Sequence, residues 1–92
     1  MSYYERQDRI EQLLAIMVKN EITPRRIAFT DIVIRVSAMK FAVSKKTAKE
    51  YAQVLIDAWR ADKWESMVKE NGYLTSEEKE KWFRKIREME KM

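Results

Sequence analysis

Cysteine and histidine are both absent from this chain, and glycine and proline occur once each, as Gly72 and Pro24. Without thiols or imidazoles there is no disulfide, no thiolate or imidazole metal site, and no Cys or His to act as nucleophile or base. One glycine cannot build a glycine-rich phosphate loop. No apolar run approaches the roughly 20 residues that span a bilayer, and the opening Met-Ser-Tyr-Tyr-Glu-Arg lacks the form of a signal peptide. Carboxylates are plentiful, but they alternate with basic residues at helical spacing, as in Glu77 with Lys81, Glu80 with Arg84 and Arg84 with Glu88. That spacing pairs them as surface ions instead of isolating an acid and a base. Together these absences predict a non-enzymatic cytoplasmic protein with no cofactor, metal, membrane or small-molecule substrate. The scarcity of Asn and Gln beside abundant Glu, Lys and Arg is thermophile-like.

What is present is charge, unevenly placed. The 92 residues, enough for one domain with one modest core, carry a net charge of +4. Between residues 23 and 54, Arg25, Arg26, Arg35, Lys40, Lys45, Lys46 and Lys49 face only Asp31 and Glu50, so the basic excess lies in that third of the chain. A concentration of this kind is the electrostatic footprint of a phosphate-contacting surface.

Helical signals dominate. Ser2 with Glu5 forms a capping box, and Tyr3, Ile10, Leu13, Leu14 and Met17 trace one apolar stripe, which predicts a helix over about 3–20 closed by Asn20 and Glu21. Ile16 and Val18 fall outside that stripe, so this helix is expected to be covered on more than one side. Thr23-Pro24 caps a further turn. The β-branched and aromatic run from 27 to 36 is ambiguous and taken alone could be a buried strand; a helix over about 31–42 capped by Thr30 is preferred, and a short strand at 27–29 would suit a winged variant. A second helix begins at Lys45 and is expected to run on to about Glu70, ended by Asn71-Gly72 with Gly72 in the left-handed position. The competing pattern pairs residues 64–75 as a short β-hairpin wing. Thr75 with Glu78 makes another capping box and starts a last helix over about 76–91, whose apolar face is Trp82, Phe83, Ile86 and Met89. The expected fold is therefore all-α, a single domain over 1–92 with about four helices. Trp59, Trp64 and Trp82 lie at core-facing spacings, which assigns them to packing ahead of base stacking.

Residues 34 to 53 carry the most specific pattern, two helices joined by a tight turn. Ala38 is the small residue expected where the helices touch, Phe41, Val43, Ala48 and Tyr51 plug either side of the turn, and Ser44 is an N-cap for the second helix. Lys45, Lys46, Lys49, Glu50 and Gln53 are left facing outward. The segment resembles helix-turn-helix DNA-binding domains, especially small archaeal and viral regulators in which a Ser-Lys-Lys-Thr-Ala-Lys-Glu-Tyr type of segment opens the recognition helix. It departs from the usual pattern in Ala42, where the motif carries glycine, and in Ser37, where an apolar residue is usual.

The resemblance implies a double-stranded DNA partner and a regulator or a chromosome- or plasmid-associated factor of the nucleoid. Lys45, Lys46 and Lys49 would contact phosphate with Ser44, Gln53 would read adenine, and Arg25, Arg26, Arg35 and Lys40 would clamp flanking backbone. Because such domains usually act as twofold dimers, the first and last helices are the candidate contacts, and the last, through Trp82, Phe83, Ile86 and Met89, is the preferred dimer or partner contact. A competing reading is a small helical accessory subunit of a replication or transcription assembly, whose basic face docks on an acidic protein.

Overall fold

A computed structural model describes residues 2–90 and places five helices among them: α1 (Tyr3–Lys19), α2 (Phe29–Phe41), α3 (Lys45–Arg60), α4 (Trp64–Glu70) and α5 (Ser76–Glu90). No strand occurs among these residues, so the fold is all-α, and no helix is long and apolar enough to cross a membrane. One core receives side chains from every helix, with Leu13, Leu14 and Met17 of α1, Phe29 and Val33 of α2, Tyr51 and Leu55 of α3, Trp64 and Val68 of α4, and Trp82 of α5.

The helix starts follow their caps. The Glu5 N–H donates to the Ser2 hydroxyl at 3.2 Å. Thr75 and Glu78 form a reciprocal box, the Glu78 N–H reaching the Thr75 hydroxyl at 3.1 Å and the Thr75 N–H reaching the Glu78 carboxylate at 2.9 Å. That bond holds the Glu78 carboxyl below its usual range. α1 ends as expected, with the Asn20 side chain donating to the Ile16 carbonyl at 2.7 Å and Glu21 in the left-handed region at φ 59°. Val18 is buried and Ile16 half-buried, so α1 is indeed covered on more than one side. Tyr3, placed in its buried stripe by periodicity, is instead exposed; it lies about two turns before Ile10, the first core residue of α1.

Several boundaries differ from the sequence reading. α2 begins at Phe29, with Ala28 in the cap position and no side-chain cap bond, whereas Thr30 lies inside the helix. The Phe29 ring is 2% exposed, and its burial draws the helix start two residues earlier than the Thr30 cap implied. The strand alternative at 27–29 is not realised. α3 stops at Arg60 rather than continuing to Glu70, because Asp62 takes a left-handed conformation at φ 58°. There the Asp62 N–H bonds the Trp59 carbonyl at 3.0 Å and the Lys63 N–H bonds the Ala58 carbonyl at 2.8 Å, closing the orphan carbonyls of the helix end. The corner turns Trp64 inward, where its indole N–H reaches the Leu55 carbonyl at 2.9 Å and its ring meets Trp59 edge to face at 5.2 Å.

The hairpin considered over 64–75 is also absent, since Trp64–Glu70 is helical. Gly72 does not adopt positive φ. The α4 end is closed from outside instead: buried Asn71 donates to the Glu11 carbonyl at 2.9 Å and accepts from the Tyr73 N–H at 2.8 Å, while the Gly72 N–H reaches the Glu11 carboxylate at 2.7 Å. The Tyr73 hydroxyl bonds Asp8, which raises the phenol pKa through that carboxylate's hydrogen bond. The 71–73 segment is thus fastened to α1, about 60 residues away in sequence.

Candidate nucleic-acid interface

α2 and α3 are joined by Ala42, Val43 and Ser44. α2 ends on the Ala42 N–H bonding the Ala38 carbonyl at 3.1 Å, and Ala42 itself is left-handed at φ 53°. Ser44 then caps α3, its hydroxyl accepting from the Thr47 N–H at 3.3 Å. The turn therefore adopts the geometry expected from the sequence, with alanine carrying the conformation usually given to glycine.

The residue expected at the helix contact is displaced by one position. The inward stripe of α2 runs Phe29, Val33, Ser37 at four-residue spacing, and Ser37 is 0% exposed. Ala38 lies about 100° further round the helix and faces solvent. The buried small residues of the two helices are Ser37 on α2 and Ala48 and Ala52 on α3. The Ser37 hydroxyl has no hydrogen-bond partner among the described residues, a direct consequence of a polar residue at an apolar position.

α3 is sharply two-sided. Ala48, Tyr51, Ala52 and Leu55 are buried, whereas Lys45, Lys46, Lys49, Glu50 and Gln53 are exposed and together line a shallow open groove. Gln53 is not idle: its amide donates to Asp57 at 2.8 Å, one turn on. Arg35 and Lys40 are exposed on α2, and Arg25 and Arg26 are exposed before it. Arg25 does not join the lysines. It lines a cleft with Trp59, Asp62 and Trp64 at the far end of α3, and the 16 residues of that helix span about 24 Å.

Other contributors carried no local signal. Arg9 of α1 stacks over Phe41 at 5.3 Å and donates to the Tyr51 hydroxyl at 3.3 Å, so it braces both sides of the turn. Nothing in the sequence marks a partnership between residues 42 positions apart. The bond between Gln53 and Asp57, by contrast, is legible as an i, i+4 pair.

The face of α5 assigned to a partner is largely used at home. Trp82 is 7% exposed in the core, with Phe83 and Ile86 packed against it, while Met89 is 43% exposed. Trp82 is therefore a core residue and not a free contact, because α5 closes over α1 and α4. Set against protein-family models, curated proteins and solved structures, the chain has no match in any of the three.

Proposed function

We propose that this protein binds double-stranded DNA without catalysing a reaction, with α2 and α3 acting as a helix-turn-helix and α3 as its recognition helix. The observation that carries this reading is the division of α3 into an apolar side with Ala48, Tyr51, Ala52 and Leu55 buried and an outward face bearing Lys45, Lys46, Lys49, Glu50 and Gln53. The left-handed Ala42 and the Ser44 cap, which set how α3 leaves the turn, support it.

In this reading Lys45, Lys46 and Lys49 neutralise phosphates and release counterions, which supplies affinity without sequence preference. Arg35 and Lys40 hold the flanking backbone from α2. Gln53 reads a base only by exchanging its bond to Asp57, so sequence preference there is modest. The role that fits is a regulator or a chromosome- or plasmid-associated factor, with two copies reading half-sites about one helical turn apart.

Changing Lys45, Lys46 and Lys49 together to Ala tests the reading. All three are exposed, so thermal unfolding should stay near wild type. Fluorescence anisotropy on one duplex at several salt concentrations should show most affinity lost, and the slope of log affinity against log salt reduced by about 0.9 per contact. Unchanged affinity and slope would place the contact elsewhere. A wild-type protein that binds no duplex would overturn the reading in favour of an accessory subunit docking on an acidic partner.

A further inference from the structure

Ile27 is 104% exposed, against 88% for Met39, and buries nothing against its own fold, whereas Phe29 two residues on is 2% exposed. Exposed Arg25 and Arg26 precede it. The segment is well tied. The Arg25 N–H donates to the Thr23 hydroxyl at 3.4 Å, the Arg26 N–H to the Thr23 carbonyl at 3.0 Å, and the Phe29 N–H to the Arg26 carbonyl at 3.0 Å. Pro24 fixes its own φ, and branching at Cβ restricts the Ile27 rotamer. A single exposed isoleucine is ordinary on a protein surface. A stiff one held out by a fastened turn directly after two arginines has the chemistry of a wedge for a polyanion with an apolar interior.

Between this turn and the start of α3 lies α2, whose 13 residues measure about 20 Å. At about 3.4 Å per base pair this covers roughly six pairs, a little over half of a duplex turn of about 10 pairs. Half a turn along one side of a duplex, the groove facing the protein changes from major to minor. On a duplex running along α2 with the start of α3 in a major groove, the Arg25–Ile27 turn would meet the neighbouring minor groove.

We infer that Arg25, Arg26 and Ile27 form a second DNA contact, in which the arginines engage the minor groove and its phosphates while Ile27 inserts between adjacent base pairs and kinks the duplex. This rests on the DNA-binding reading above and extends it from recognition to bending. Apolar wedges flanked by basic side chains unstack a base step and bend DNA toward the major groove, commonly by about 20–90°.

The test is energy transfer between dyes at the two ends of a duplex of roughly 30 base pairs, well below the persistence length, so that it is straight when free. Wild-type protein should raise transfer on binding. Ile27→Ala should bind within about tenfold of wild type yet leave the duplex straight. The Arg25→Ala, Arg26→Ala pair should lower the salt slope by up to about 1.8. Because these side chains are exposed, circular dichroism should show all variants folded. Binding without bending by wild type, or equal bending by Ile27→Ala, would overturn the wedge while leaving the DNA reading intact. No binding by wild type would overturn both.

Discussion

At its two ends α3 meets turns that look alike and arise differently. Ala42 and Asp62 are both non-glycine residues in the left-handed region, at φ 53° and φ 58°. Around Ala42 the local sequence announces the break: Phe41 and Val43 plug the core on either side and Ser44 supplies the next cap. Around Asp62 the flanking Arg60, Ala61 and Lys63 are good helix formers, and no side-chain cap starts α4. That break is imposed from a distance, by the burial of Trp64 and its bond to the Leu55 carbonyl at 2.9 Å. The first turn is specified by its own residues, the second by the core it serves.

The largest expected effect attacks the second turn at its cause. Trp64→Ala removes a buried aromatic that touches both Trp59 and Phe29, and should cost about 3–5 kcal/mol in urea unfolding. For a domain this small that is much of the total stability. A loss under about 1 kcal/mol would show that the corner is held by local preference after all.

Ser37→Ala tests how well the α2–α3 pair is built beside the first turn. The buried hydroxyl has no partner among the described residues, so its removal should raise stability by about 1 kcal/mol, visible as a melting temperature higher by roughly 4–8 °C. A destabilised variant would mean that the hydroxyl has a partner in solution.

The two left-handed residues can be compared directly. Alanine has no polar side chain to offset the conformation, whereas aspartate tolerates it better. Ala42→Gly should therefore gain roughly 0.5–1 kcal/mol and Asp62→Gly close to nothing. Equal gains in thermal unfolding would erase the distinction between the two sites.

The smallest effect is electrostatic and lies outside both turns. Lys85 bonds the Glu21 carboxylate and lowers its pKa; the Glu78 carboxyl is lowered by the Thr75 backbone N–H. A carboxyl depressed in the folded state contributes stability above its unfolded pKa and loses it as pH falls through the folded value. Melting temperature should decline through and below the ordinary carboxylate range, and Lys85→Ala should flatten that decline slightly. An identical profile in the variant would show that the exposed pair contributes nothing measurable.

Short-range information was enough for the helical class, for the start of α1, α3 and α5, and for the turn at Ala42, since caps, periodicity and turn residues act within a few positions. It was enough also to group Lys45, Lys46, Lys49, Glu50 and Gln53, because residues three and four apart share a helix face. Only the tertiary structure decided that Ser37 and not Ala38 is buried, that the helix breaks at Asp62, that Asn71 fastens α4 to Glu11, and that Phe83 and Ile86 join Trp82 against the core. Each of these depends on which face of a helix another element covers, or on a partner tens of residues away. Local propensity differences of a few tenths of a kcal/mol are overruled there by the burial of a single large side chain, worth about 1.5–3 kcal/mol.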